Sequence, residues 1–195
     1  MSAPVRSAVF LDRDGVLNVY RPNDYVKNPD ELTLLPGVGK AVRALNDAGL
    51  PVFLVSNQQG VAKGLMTMND LFAVETAMRS RLSADRAYLT ESYYCTHSAD
   101  ALCACRKPRP GQLIRAAHDH GIDLGTSFFI GDTDTDAAAA RAAGIGTFIL
   151  VLSGKFQNDP AYRVNSWDEG EREQSHRRAD LPAAVADVLA RLGGA

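Results

Sequence analysis

Ala8-Val9-Phe10-Leu11 is a short apolar run that stops abruptly at Asp12-Arg13-Asp14-Gly15. A run of that length, apolar on both faces and bounded by turn formers, has the character of a buried strand in a parallel sheet. In open α/β sheets the chemistry gathers beyond the carboxyl ends of the strands. Asp12 and Asp14 are therefore expected to project into a crevice. Residues two apart in extended backbone point to the same side, and two carboxylates that close repel each other unless a cation joins them. Taken alone, the run also fits a strand followed by a polar turn, because Asp and Gly are common turn residues.

The rest of the chain repeats the pattern. An irregular stretch reaches to about Leu35. Pro36-Gly37-Val38 then opens a helix to about Ala48, with Val38, Val42 and Leu45 as its apolar stripe and Gly49 as its stop. Leu50 to Val55 reads as a second strand and ends in Ser56-Asn57-Gln58. Thr67 or Asn69 can cap a helix running to about Leu82. Strands are expected at Glu91–Cys95, Ser127–Ile130 and Thr147–Leu152. Helices are expected from Pro110 to Gly121 and from about Asp136 to Ala143. Strand alternating with helix implies α/β architecture: a Rossmann-like parallel sheet with helices on both faces. Residues 156–180 are too polar to bury a core and read as a surface excursion. Asp180 caps a last amphipathic helix with Leu181, Val185, Val188 and Leu189 toward the sheet.

Length and charge bound the function classes. A chain of 195 residues, 46% apolar, is expected to form a single domain, residues 1–195. Its formal net charge of −2 argues against a nucleic-acid surface that works by bulk positive charge. No apolar stretch approaches the roughly 18 residues needed to span a bilayer, and the N-terminus lacks the pattern of a secretory signal. A cytoplasmic monomer, without membrane or nucleic-acid partners, is the expectation.

Three strand-like runs end in small or acidic polar residues: Asp12/Asp14, Ser56/Asn57 and Gly131-Asp132. Parallel topology brings these ends together. The Ser56 hydroxyl and the Asn57 amide suit phosphate oxygens. Asp12 and Asp132 can hold Mg²⁺, a hard cation usually bound by one or two carboxylates plus substrate phosphate. Asp134 and Asp136 can belong to that acidic set or can cap the helix that follows.

A second constellation is Cys95-Thr96-His97 with Cys103-Ala104-Cys105, the spacing C-x-H-x5-C-x-C. Three thiolates and one imidazole are the ligand set of a closed, tetrahedral structural Zn²⁺ site. A disulfide or plain buried cysteines are the rivals; a disulfide would leave one of the three cysteines over. Arg106-Lys107 follows directly, so a metal-stiffened loop would present Lys107 to a phosphate and let Arg106 grip a second anionic group. From these parts a mechanism is expected. Asp12 attacks phosphorus, Asp14 protonates the leaving alcohol and then activates water, and Mg²⁺ and Lys107 neutralise charge on the transferring group.

Asp12-x-Asp14-Gly15, Ser56-Asn57-Gln58, Lys107 and Gly131-Asp132-x-x-x-Asp136 together resemble the four motifs of the haloacid dehalogenase (HAD) superfamily of phosphatases. With the Cys/His loop, the chain is similar to the subgroup that contains the D,D-heptose 1,7-bisphosphate 7-phosphatases and the histidinol-phosphate phosphatases. The resemblance spans roughly residues 7–155. It implies no large cap, Asp12 as nucleophile and Asp14 as general acid/base. It implies Mg²⁺ on Asp12, the main-chain carbonyl of Asp14 and Asp132, supported by Asp136. Ser56, Asn57 and Lys107 would bind the phosphoryl group, Arg106 would help with substrate, and Zn²⁺ on Cys95, His97, Cys103 and Cys105 would be structural. The short spacer Ser98–Leu102 is closer to the histidinol branch. Asp24-Tyr25-Val26, the run Gln58–Gly64 and Gly154-Lys155 look more like the heptose branch, which usually has Arg where Lys63 stands. A small phosphorylated metabolite, a sugar bisphosphate before histidinol phosphate, is the expected substrate. A phospho-receiver module and a zinc-organised binding protein are the readings from other classes.

Overall fold

A computed structural model describes residues 6–159, 162 and 176–194. Six parallel strands form one sheet: β1 (Val9–Leu11), β2 (Val52–Asn57), β3 (Glu91–Cys95), β4 (Phe128–Gly131), β5 (Thr147–Val151) and β6 (Arg177–Arg178). Their order is β3-β2-β1-β4-β5-β6. The helices are α1 (Val38–Asp47), α2 (Met68–Ser83), α3 (Gly111–His120), α4 (Asp134–Ala143), the single turn α5 (Lys155–Asn158) and α6 (Leu181–Gly193). Among the described residues, no second sheet or helical bundle is inserted above the strand ends, only loops and three-residue 3₁₀ turns.

The period-two alternation of the strands divides the core in two. Val9, Leu11, Val52, Leu54, Ile130, Ile149 and Val151 belong to one cluster with residues of α1, α2 and α6. Phe10, Phe53, Val55, Phe129, Phe148 and Leu150 belong to the other, with α3 and α4. Both faces are thus covered, which is why the strands read as unbroken apolar runs.

Helix boundaries follow local chemistry. Thr67 and Asp70 form a reciprocal capping box that starts α2. Thr133 and Asp136 form the same device at α4, which therefore begins at Asp134, two residues earlier than the spacing predicts. Of the expected polar excursion over 156–180, residues 160, 161 and 163–175 lie outside the described residues. Its ends are structural instead. Phe156 packs against the second core cluster, and Arg177–Arg178 pairs with Leu150–Val151 as the edge strand. Two arginines carry no strand signal; the open edge of β5 supplies their pairing.

The chain winds outward from β1 to β2 and β3, then returns to the other side of β1 with β4. Connections diverge at that switch point and leave a crevice above the ends of β1 and β4. The Asp12 backbone N–H still donates to Ile130 O at 3.0 Å, so Asp12 leaves the sheet at its last rung.

Candidate active site and candidate metal centre

The crevice is a cleft of about 390 Å³. Asp12, Asp14, Ser56, Asn57, Lys107 and Asp132 all line it. Three strand ends and the loop before α3 thus converge as the sequence predicts. Arg106 is not among the lining residues. Its Nη2 donates to Gln59 Oε1 at 2.9 Å.

Lys107 is the hub. Its Nζ donates to Asp12 Oδ1 at 2.8 Å and to Val55 O at 2.9 Å. It pairs with Asp136 Oδ1 at 2.6 Å. Lys107 is only 4% exposed and Asp136 is fully buried. Burial would lower the lysine's pKa, but Asp12 and Asp136 outweigh it and hold the group protonated above its ordinary value. Asn57 places this lysine. Its Nδ2 donates to Lys107 O at 3.0 Å and its Oδ1 accepts from Lys107 N at 3.1 Å. The Asn57 amide, expected to meet phosphate, is therefore engaged with the backbone of Lys107.

Asp12, Asp132 and Asp136 each offer a carboxylate oxygen, and these lie within 4.8 Å of one another. Burial, with Lys107 opposing and Asp136 adding, pushes the Asp12 carboxyl up to about 6. Asp132, fully buried, is raised well above its ordinary value by burial and by Asp12 and Asp136. Its Oδ2 accepts from Lys155 N at 2.9 Å; its Oδ1 has no hydrogen-bond partner among the described residues. A buried carboxylate oxygen without a donor, beside two more carboxylates, fits a cation. Asp136 is differently placed. Its Oδ2 accepts from Thr133 Oγ1 at 2.5 Å and from the backbone of Asp132 and Thr133. Both of its oxygens are engaged, so it serves the helix cap and Lys107 at once. Gly15 and Gly154 pass so close to Asp132 that a Cβ on either would overlap its carboxylate.

Asp14 is held by Arg13, Asn18 and Gln58, to none of which the sequence reading gave a role. Its Oδ1 accepts from Asn18 Nδ2 at 2.9 Å, and its Oδ2 accepts from Gln58 Nε2 at 2.9 Å and Arg13 Nη2 at 3.1 Å. Burial pushes the Asp14 carboxyl up, but the Arg13 guanidinium and the three sets of donors carry it below its ordinary value. The available signal for Arg13 was its place between two strand-end carboxylates, where an arginine has a partner even when buried.

Cys95, His97, Cys103 and Cys105 also come together. Cys95 Sγ lies 3.6 Å from His97 Nδ1 and 3.6 Å from Cys103 Sγ; Cys105 Sγ lies 3.3 Å from His97 Nδ1 and 3.4 Å from Cys103 Sγ. No pair is at bonding distance, and all three cysteines are free. A tetrahedron with such edges has its centre about 2.1 Å from each corner, close to zinc–nitrogen and zinc–sulfur distances. The cluster joins the end of β3 to the segment that carries Lys107.

The comparisons agree with this geometry. A family model described as haloacid dehalogenase-like hydrolase matches residues 6–144, and a second HAD-hydrolase-like model matches residues 104–192. The chain is 40% identical over 155 residues to the D-glycero-beta-D-manno-heptose-1,7-bisphosphate 7-phosphatase of Rhodopseudomonas palustris, covering 75% of this chain and 84% of that one. It is 35% identical over 185 residues to the protein of the same name from Yersinia pestis, covering 91% and 94%. Among solved structures, the D,D-heptose 1,7-bisphosphate phosphatase of B. bronchiseptica, complexed with magnesium and phosphate, superposes with a TM-score of 0.84 at 32% identity, covering 95% of this chain and 99% of that chain. With the site, the sheet order and the match over 6–144 in agreement, the chain belongs to the haloacid dehalogenase-like hydrolases.

Proposed function

We propose that the protein is a magnesium-dependent phosphatase that hydrolyses D-glycero-D-manno-heptose 1,7-bisphosphate at the 7-phosphate through a phosphoryl-Asp12 intermediate. The observation that carries the reaction class is the buried Lys107 ammonium between Asp12 and Asp136, beside the unpartnered oxygen of Asp132. Such a site is poor in stability and well matched to a phosphoryl group, whose negative charge needs cations out of water. The named relatives support the sugar bisphosphate. So does the cleft, which adds two cations, Arg21 and Lys63, to Lys107.

With the nucleophile pushed only to about 6, Asp12 is anionic at neutral pH, and Lys107 orients it through Oδ1. An Asp12 oxygen attacks phosphorus and the bond to the sugar oxygen breaks. Asp14 gives its proton to that departing oxygen. The negative charge of the arriving phosphate raises the Asp14 pKa, so the carboxyl takes up a proton from solvent before the transfer. Asp14 then takes a proton from water as the water attacks the phosphoryl group, releasing phosphate and restoring Asp12. Ser56 faces the same cleft as a hydroxyl partner for phosphate oxygen. Magnesium held by Asp12, Asp132 and the main-chain carbonyl of Asp14, with Asp136 in support, would supply positive charge against the transferring group. Zinc on Cys95, His97, Cys103 and Cys105 would be structural, holding the Lys107 segment to the end of β3.

The test is phosphate release with Mg²⁺ from both anomers of the heptose bisphosphate and from histidinol phosphate, with Asp12→Asn as the blank. A preference for the heptose of ~100-fold in kcat/KM, nearly 3 kcal/mol of transition-state discrimination, supports the reading. The reverse preference assigns the histidinol branch, and slow, even turnover of all three places the substrate outside both.

A further inference from the structure

We propose that Arg13 and Gln58 are positioning residues that aim the Asp14 carboxylate at the leaving oxygen, an inference that rests on the phosphatase reading. Arg13 is fully buried, as are Gln58 and Asn18. A buried arginine is justified by packing alone only rarely, because desolvating the guanidinium is expensive and an apolar side chain fills the same space. Its one ion-pair partner among the described residues is Asp14, at 3.1 Å. Nε and Nη1 find no hydrogen-bond partner among the described residues, where the charge is thus committed through a single nitrogen. That Nη2 also donates to Gln58 Oε1 at 3.0 Å.

Gln58 closes the arrangement. Its Nε2 reaches Asp14 Oδ2 at 2.9 Å and Ser56 Oγ at 3.0 Å. Its backbone N–H donates to Cys95 O at 2.7 Å. One side chain therefore ties the acid/base candidate to the phosphate-binding hydroxyl, and its backbone ties both to the end of β3. Asn18 holds the other carboxylate oxygen. Asp14 itself stays 26% exposed at its side chain and lines the cleft. Three fully buried donors thus fix a carboxylate whose outer edge faces the substrate. A proton donor loses its effect when its direction is lost, so releasing these donors must damage the step that depends on Asp14.

The experiment uses Arg13→Met, Gln58→Leu and Asp14→Asn, singly and paired, with the heptose bisphosphate and with p-nitrophenyl phosphate. The nitrophenolate leaves without a proton; the sugar alkoxide does not. Expected for each single variant is a loss of about 10- to 100-fold in the rate of the first phosphoryl transfer from the sugar phosphate, read as the single-turnover burst of released sugar monophosphate, and a much smaller loss in the burst of p-nitrophenol. The later hydrolysis of phosphoryl-Asp12, common to both substrates, slows equally for both. In the Asp14→Asn background, Arg13→Met and Gln58→Leu should add almost nothing, the mark of residues acting through Asp14. Equal losses of burst rate on both substrates, or full additivity with Asp14→Asn, overturn the proposal. If wild type releases phosphate from neither substrate, the phosphatase reading fails. The same double-mutant cycles read on thermal midpoints then decide whether Arg13 and Gln58 are coupled to Asp14; absence of coupling overturns the positioning role.

Discussion

The Lys107 ammonium sits 2.8 Å from Asp12 Oδ1 with both side chains almost wholly removed from water. One cation faces three carboxylates there, since Asp132 and Asp136 lie beside Asp12. The site is over-supplied with negative charge, and that excess has measurable consequences for stability.

Asp12→Asn should stabilise the protein in magnesium-free buffer while abolishing turnover. The folded Asp12 carboxyl titrates at about 6, above its ordinary 3.8. Between those values the folded state holds a proton that the unfolded chain has released, so stability falls as pH rises through that window. At neutral pH the deficit is on the order of 3 kcal/mol. An amide of the same shape removes it, while Lys107 keeps its ion pair with Asp136. Thermal melts at pH 7.5 should show the variant above wild type, and the gap should close at about pH 4. Magnesium should raise the wild-type midpoint in proportion to the logarithm of its concentration, and raise that of Asp12→Asn less. An equal response in both would remove Asp12 from the metal site.

Lys107→Met should act in the opposite sense. Breaking a buried ion pair by deleting one partner leaves the other charges uncompensated, about 3–5 kcal/mol. The carboxylates of Asp12 and Asp136 would then each lose their cation. Urea midpoints should fall, and kcat should drop at least ~10²-fold, as for removal of a transition-state charge partner. A stable, active Lys107→Met variant would contradict the phosphate-binding role.

The Cys/His cluster yields a prediction about the same lysine at longer range. Cys105 lies two residues before Lys107, and Cys95 ends β3. Metal analysis should return one zinc per chain, and Cys105→Ser should lower the zinc content. Loss of zinc should lower the melting temperature and raise KM for the phosphate substrate more than it lowers kcat, because the loop that presents Lys107 loosens. Unchanged KM and melting temperature in zinc-free protein would leave the cluster without a structural role.

What the sequence could and could not convey follows from the range of the interactions. Asp12, Ser56 and Asp132 were legible because each ends an apolar run, and the end of a buried parallel strand has one place to go. The Cys/His set was legible because its spacing is local. Arg13 was not, since its burial depends on Gln58, 45 residues away. The engagement of Asn57 with Lys107 spans 50 residues and is equally invisible to periodicity. The hydrogen bond from Arg106 to Gln59 spans 47 residues and is likewise absent from any local pattern. β6 has no apolar signal at all, and its strand character comes from the unsatisfied edge of β5.

Gly154→Ala tests how the metal-site carboxylate is held. Gly154 packs against Gly15, and a Cβ there would meet Asp132 Oδ2 and the Gly15 backbone at once. Gly15 Cα is backbone, and the Asp132 carboxylate is fully buried and hydrogen-bonded, so neither yields without cost. Asp132 must rotate, losing the hydrogen bond from Lys155 N. Disturbing the groups that orient a metal ligand typically weakens metal affinity by ~10- to 100-fold, so the magnesium concentration for half-maximal activity should rise by that factor. Ser153→Ala is the control. It deletes the 2.7 Å hydrogen bond from Ser153 Oγ to Gly15 O without adding an atom near Asp132, a change of about 1 kcal/mol in stability. Its magnesium dependence should stay close to wild type while its melting temperature falls slightly. If both variants shift the magnesium curve equally, the segment acts through the backbone of Gly15 rather than through the space it leaves for Asp132.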